Sequence, residues 1–509
     1  MNTQIEESEL IPTEKLSPAE QKFEIWRKRL GFFLAPAAFL AIYFSSIALP
    51  YESKTLAAII VGVVLLWLCE SIPMPITAVL GASLAVLLGV APAKDVFAPF
   101  ADPLMFLFAG SFMIARAIFI HGLDKRFAYG VLSWRIIDAR PSRILFAFGA
   151  VTAFLSAWIS NTATTAMMFA IGMSILSFLF SQKDESGRTI GIGYATAMML
   201  MTSFAASVGG LATPIGTPPN IIGIGFLKKA GIEVTFFEWM VIGVPVVILL
   251  FLFLFTYLNI LSPSKVNRIN GAAAMIADER KKLGAWTTAQ KSTLIAALSA
   301  VVFWVTPGVI ALLFGERSFE YLFLNSRLPE GVGALMAVVL LFLLPGNEKG
   351  ERALSWEEAV KIDWGIIPLY GGGFALGVLA LNTGLAQAAG EGLTALIPFS
   401  GETGLIIAGV IVALIISEIS SNTASANMVV PVVIAIAQAQ GINPFVPALA
   451  ATMASSLGFM LPVSTPCNAI VYGSGYIPIM KMVRYGFLLD LFGAASIITA
   501  MLILSWSIG

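Results

Sequence analysis

Apolar runs of about twenty residues, enough to cross a hydrocarbon core, follow one another from Leu30 to the C-terminus. Two further long apolar segments are interrupted at mid-length by the same polar triplet, Ser160-Asn161-Thr162 and Ser421-Asn422-Thr423, 421 − 160 = 261 residues apart. Few folds are open to such a chain, because backbone at membrane depth must find its hydrogen bonds inside the protein. Charged residues are 12% of the 509, against roughly 25% in soluble chains. The class is an all-α polytopic membrane protein. A net charge of zero with no basic patch argues against nucleic acid as a partner. Cys69 and Cys467 lie far apart in apolar segments and read as small buried side chains, not a disulfide or metal pair.

Hydropathy places eleven transmembrane spans near 30–48, 55–72, 76–92, 103–121, 191–226, 236–261, 291–313, 331–345, 365–385, 446–475 and 482–508. The triplet segments, 143–180 and 403–438, are each either two short spans or one re-entrant hairpin. With two hairpins and the N-terminus inside, 23 Lys and Arg fall inside and 6 outside, with Arg116 within a span. That asymmetry follows the positive-inside rule and sets the N-terminus inside and the C-terminus outside, as in a multi-pass protein of a cell's inner membrane. Counting each segment as a double span changes no parity, so charge does not choose between the two. Arms of about 16 residues, marginal for crossing, favour hairpins. The polar, acidic stretch 1–29 has no signal-peptide pattern and is expected to be a mobile cytoplasmic tail.

More than the triplet recurs. LFAGSFMIARAIFIHGL (107–123) aligns with LYGGGFALGVLALNTGL (369–385) at an offset of 262, and GGLATPIGTPPN (209–220) with GFMLPVSTPCN (458–468) at 248. Two repeats are therefore expected, 103–261 and 365–509. N-terminal scaffold helices (30–102) precede them, and a cytoplasmic linker with connecting helices (262–364) joins them. By the orientation above, 103–121 runs inward and 365–385 outward. The repeats are then inverted, with hairpin 143–180 entering from the cytoplasmic side and 403–438 from outside. Inverted repeats with discontinuous helices are a plan of secondary transporters.

Gly209, Gly210, Pro214, Gly216, Pro218 and Pro219 are expected to interrupt the span 191–226, and Gly458, Pro462 and Pro466 the span 446–475. Unwinding frees carbonyls that hold a cation and helix-start N–H groups that hold an anion. Asn161, Thr162, Asn422 and Thr423 add amide and hydroxyl groups. The alternative is that these side chains only bond helix to helix. Two triplets paired with two Thr-Pro-x-Asn breaks favour a site. With no Lys or Arg inside either tip or break, a dianion there requires co-bound cations to offset its desolvation; a neutral ligand would escape this argument. Glu418 is a functional acid or a hydrogen-bonding partner of its own hairpin. His121 reads as interfacial, and Arg116 as snorkelling or paired inside the scaffold. One His, no His-Glu-x-x-His and no Gly-x-Ser-x-Gly leave an intramembrane enzyme without a catalytic constellation.

The paired triplets, GTPPN (216–220), STPCN (464–468), WLCESIPMPITAVL (67–80) and GGGFALG (371–377) resemble the divalent anion–sodium symporter family from about residue 30 to the end. The resemblance implies a homodimer in the lipid bilayer, a scaffold domain, and an elevator-type transport domain carrying both hairpins. It implies substrate contacts at Asn161, Thr162, Asn422 and Thr423, with Thr217, Pro218, Thr465 and Pro466 closing the site. One sodium site would draw on Ser156, Ser160, Asn161 and the Gly216 carbonyl. The other would draw on Ser417, Asn422 and the carbonyls of Ser420 and Ser464. Cys467 stands where the family usually has proline, which is expected to loosen that break. Ser417 stands where Thr is common and keeps the hydroxyl. The implied function is sodium-coupled import of C4-dicarboxylates such as succinate, malate or fumarate. Sodium-independent dicarboxylate exchange and symport of sulfate or citrate are alternatives within the family, and a passive anion channel is one outside it.

Overall fold

The computed structural model describes residues 18–508, apart from 135–136, 138–139, 183–188, 267, 269–270, 316 and 395–400. Lys15, Arg135, Lys183, Arg188 and the expected tail over 1–17 lie outside the described residues. Helices α1 (Pro18–Tyr43), α2 (Tyr51–Cys69), α3 (Met74–Leu87) and the short α4 (Ala93–Phe97) lead into the first repeat. That repeat comprises α5 (Pro103–Ile120), α6 (Leu123–Leu132), α7 (Pro141–Ser156), α8 (Asn161–Ser181), α9 (Ile192–Gly210), α10 (Pro218–Lys229) and α11 (Phe236–Leu261). Between the repeats run α12 (Ala272–Lys282), α13 (Thr288–Phe314), α14 (Phe319–Arg327), α15 (Glu330–Leu343) and α16 (Trp356–Ala359). The second repeat comprises α17 (Ile366–Asn382), α18 (Leu385–Thr394), α19 (Gly401–Ile419), α20 (Asn422–Ala439), α21 (Phe445–Ala454), α22 (Pro466–Tyr472) and α23 (Ile479–Ile508).

Among the described residues, nine helical segments are long and apolar enough to cross a membrane, ten if the bent pair α14–α15 is one span. This differs from eleven spans of full length. The segments expected at 76–92, 331–345 and 365–385 hold helices of 14, 14 and 17 residues. The segment at 446–475 is split into pieces of 10 and 7. Conversely, three of the four triplet arms exceed the expected length of about 16: α7, α8, α19 and α20 have 16, 21, 19 and 18 residues. The polar stretch expected as a mobile tail is helical from Pro18, a residue suited to a helix start.

Seven helices recur in the same order in the two repeats. In both, a long helix ends at a left-handed glycine, Gly122 (φ 63) or Gly384 (φ 77), and a ten-residue helix follows. Glycine occupies that backbone region without the clash a Cβ would bring. Both triplet segments then reverse direction at their tips. The Phe148 ring of α7 lies against Gly172 of α8, and Ser425 Oγ of α20 donates to Ala413 O of α19 at 2.6 Å. Contacts between the repeats are reciprocal: α8 and α9 pack on α22 as α20 and α21 pack on α10. Such an exchange is what a local two-fold axis produces.

A second buried cluster joins Leu56 and Trp67 of α2, Ala78 and Ala82 of α3, and Leu369 and Leu376 of α17, with Ala424 of α20 at its edge. Arg116 is paired: its Nη2 lies 2.6 Å from Glu358 Oε2. His121 caps the C-terminus of α5, its Nε2 2.6 Å from Ala353 O. Gly209 and Gly210 do not break α9 but end it where no side chain fits. A Cβ at 209 would collide with the Ala153 carbonyl of α7, and one at 210 with the Asn161 side chain.

Gly209→Ala is therefore expected to cost more than about 3 kcal/mol, because backbone on both sides must move. Gly130→Ala, within α6 and with open space around the new methyl, is expected to gain about 0.5–1 kcal/mol. Thermal unfolding of the purified variants checks both signs.

Candidate functional site

Each triplet is a helix start. Ser160 is the N-cap of α8, its hydroxyl accepting the Ala163 N–H at 3.3 Å. Ser421 caps α20 in the same way, from the Ala424 N–H at 3.2 Å. Serine is favoured at N-caps because its oxygen satisfies one of the orphan N–H groups there. Asn161 and Asn422 are thereby fixed as the first helical residues, and each is bonded to the end of the preceding helix. An Asn161 amide atom lies 2.6 Å from Ser156 Oγ, and Ser417 Oγ lies 2.8 Å from Asn422 Oδ1.

The two breaks are built alike. Residues 211–217 and 455–465 are unwound, and α10 and α22 restart at Pro218 and Pro466 with Thr217 and Thr465 as N-caps. Asn220 Nδ2 donates to Gly210 O (2.9 Å) and Thr213 O (2.8 Å). Asn468 Nδ2 donates to Gly458 O (3.1 Å) and Leu461 O (2.9 Å), the same steps of ten and seven residues back. Each asparagine thus replaces main-chain bonds that the break removes. Asn468 Oδ1 also accepts from Ser203 Oγ of α9 at 2.6 Å. Cys467 does not shift the helix start, since α22 begins at Pro466 as α10 begins at Pro218.

Two clusters of neutral oxygens result. The Asn161 amide atom that meets Ser156 Oγ also lies 3.2 Å from Gly216 O and 3.1 Å from Ala206 O. As nitrogen it donates to both carbonyls; as oxygen it completes a set of four oxygens facing one another. That donor set is hard and uncharged, suited to an alkali cation. In the second repeat Ser417 Oγ lies 2.8 Å from Ser455 O, Asn422 Nδ2 donates to Ser456 O at 3.4 Å, and Gly458 adjoins Ser417 and Asn422. Ser464 sits on the same break. The Ser160 hydroxyl serves its helix cap, and Ser420 Oγ reaches Trp67 O of α2 at 3.5 Å.

Four helix starts meet around these clusters. The other Asn161 amide atom lies 3.4 Å from Thr217 Oγ1, joining α8 to α10. The Cys467 thiol has Thr162, Thr165, Ser207 and Thr465 as polar neighbours, joining α8 to α22, and α20 packs on α10. The first N–H groups of α8 and α20 and the partial positive charge of all four helix starts favour an anion, whereas Pro218, Pro219 and Pro466 have no N–H to offer. Thr162 and Pro466 are exposed, and Asn161, Pro218, Asn422 and Thr423 are half-buried. Ser156, Thr217, Ser417, Ser464 and Thr465 are buried behind them. The helix-start residues are thus the more accessible ones, and the hydroxyls of both clusters lie buried behind them.

Glu418 is a hydrogen-bond acceptor, but for the break and not its own hairpin. Its carboxylate accepts from Met460 N (2.9 Å) and Ser464 Oγ (2.8 Å). Sequence reasoning missed Ala206, whose contribution is a main-chain oxygen. It also missed Arg27, which reaches Ile419 O beside the second triplet at 3.4 Å from what reads as a polar tail.

Two repeats with discontinuous helices in a membrane-type fold are the architecture of secondary transporters. The family described as "Sodium:sulfate symporter transmembrane region" matches residues 26–508. The chain is 33% identical over 478 residues to the "Sodium-dependent dicarboxylate transporter SdcS" of Staphylococcus saprophyticus, covering 92% of this chain and 90% of that protein. It is 32% identical over 476 residues to the SdcS of Staphylococcus aureus strain bovine RF122, covering 92% and 89%. The solved Alcanivorax borkumensis YdaH transporter shares the fold, with a TM-score of 0.54 at 12% identity over 95% of this chain and 98% of that one. The chain belongs to the sodium:sulfate symporter family, the divalent anion–sodium symporters, and is a transporter, not an enzyme.

Asn468→Ala leaves two carbonyls and the Ser203 hydroxyl without partners and is expected to cost about 2–4 kcal/mol; Asn220→Ala leaves two carbonyls and is expected to cost about 1–3 kcal/mol. Thermal shift of the purified variants measures both, and an unchanged melting temperature for Asn468→Ala would contradict the structural role.

Proposed function

We propose that the protein imports C4-dicarboxylates such as succinate, malate or fumarate together with sodium ions, as an inner-membrane homodimer with its N-terminus cytoplasmic and its C-terminus outside. The single observation that carries this reading is the pair of uncharged polar clusters at the hairpin tips and helix breaks (Asn161–Ser156–Gly216 and Asn422–Ser417–Ser455). A dianion in a gap without lysine or arginine needs compensating charge. Sodium ions in the clusters beneath supply it from a few ångströms away.

The asparagines couple the two. A cation attracts the Asn161 oxygen toward Ser156, Gly216 and Ala206, which leaves Nδ2 facing Thr217 and the gap. Asn422 is placed equivalently over Ser417. Thr162, Thr423 and the N–H groups at the starts of α8 and α20 complete the anion's contacts, and Thr217, Pro218, Thr465 and Pro466 wall the gap. Ser464 and the Ser420 carbonyl complete the second cation's shell. Ser160 acts by fixing Asn161, because its hydroxyl already caps α8. The inverted hairpins re-enter from opposite faces and ride on a transport domain that moves past a scaffold of α1–α5 and α13–α18.

The names of the Staphylococcus relatives support dicarboxylate with sodium, and the family description leaves sulfate as a second anion. Labelled succinate uptake into proteoliposomes is expected to accumulate under an inward sodium gradient and to fall to background without it. Accumulation that ignores sodium but needs internal malate would establish exchange instead. Asn161→Ala and Asn422→Ala are each expected to reduce uptake at least about 100-fold, by removing a ligand from cation and anion together, with the variants still folded. Near-normal uptake by either would refute the site.

A further inference from the structure

Glu70, the C-cap of α2, is the one non-glycine among the described residues with positive φ (47). Glycine is the residue that holds this conformation without strain, so the carboxylate is retained there against a backbone cost. Glu70 Oε2 lies 3.1 Å from Arg27 Nη2, and Arg27 is buried, 8% exposed. The other arm of that guanidinium, Nη1, donates to Ile419 O, the last carbonyl of α19. The end of a helix carries unpaired carbonyls and partial negative charge, and a cation from another element satisfies both. Two weaker contacts flank it, from Ser420 Oγ to Trp67 O (3.5 Å) and from Ser421 Oγ to Met74 Sδ (3.6 Å).

At the far end of the same interface, Lys229 at the C-terminus of α10 pairs with Asp102, the N-cap of α5, at 2.6 Å. Each charged contact joins an element of the transport domain to one of the scaffold. Neither survives a displacement of several ångströms.

We propose that Arg27, aimed by Glu70, is a state-specific clamp on the second hairpin tip. It caps α19 in the arrangement seen here and releases when the transport domain moves. This rests on the two-domain reading above. It makes Arg27 and Glu70 positioning residues that set the occupancy of one transport state without touching substrate.

Spin labels at Phe319→Cys on α14 and Ile192→Cys on α9, both exposed, report the distance between the domains by double electron–electron resonance. The native Cys69 and Cys467 are buried. In the parent protein, with labelled protomers diluted into excess unlabelled protein so that the pair within one protomer is read, two distances are expected, with populations that shift with sodium and succinate. Arg27→Gln and Glu70→Gly are each expected to deplete the clamped population about threefold or more, with Arg27→Lys intermediate. Glu70→Gly is the discriminating variant, because it relieves the backbone: its melting temperature is expected to hold or rise while the populations shift. Parent-like populations in both Arg27→Gln and Glu70→Gly, with two distances present in the parent, would overturn the clamp alone. One invariant distance in the parent under every condition would overturn the domain movement and the clamp with it.

Discussion

The structure depends on what happens to backbone polar groups where a helix stops inside the bilayer. Every unpaired carbonyl or N–H at that depth costs free energy. Asn220 and Asn468 meet that cost in the same way, each bonding two carbonyls ten and seven residues upstream. With those carbonyls held, the remaining groups at the breaks stay open without unravelling the fold. Among the groups left are N–H groups at the starts of α8 and α20, and oxygens from Ser156, Gly216, Ser417 and Ser455.

Repetition turns one such break into a site. A single unwound helix offers dipoles to one side only, whereas two repeats that exchange contacts bring four helix starts together. The reciprocal packing of α8 and α9 on α22, and of α20 and α21 on α10, places the halves across one gap. The halves are not identical. Ser203 satisfies Asn468 from the opposite repeat, while Ala451 occupies the position matching Ser203. Arg27, paired with Glu70, touches the second hairpin, and the Lys229–Asp102 pair holds the first repeat's half-helix. An asymmetric grip on symmetric halves is a physical basis for favouring one arrangement over another.

Much of this was legible in the sequence, for identifiable reasons. Proline cannot donate a main-chain bond, so Pro218 and Pro466 announced the restarts of α10 and α22. The Ser-Asn-Thr triplets recur, and recurrence in apolar surroundings marks a polar group placed on purpose. The span count was less legible, since a hydropathy window registers apolar length and not where helices shorten, as at α3, α15 and α17. The glycines at 209 and 210 read as breakers, yet their reason is the approach of Ala153 and Asn161, visible only in three dimensions. Ala206 and Arg27 were hidden because one acts through its carbonyl and the other sits in a segment that looks like a polar tail.

The central claim is that neutral oxygens bind the cations whose charge permits the anion to bind. The affinity of the purified protein for succinate, titrated at constant ionic strength over about two decades of sodium concentration, tests this most directly. Two linked cation sites predict that the logarithm of Kd falls with the logarithm of sodium concentration at a slope approaching about −2 below saturation. A Kd independent of sodium would contradict the account.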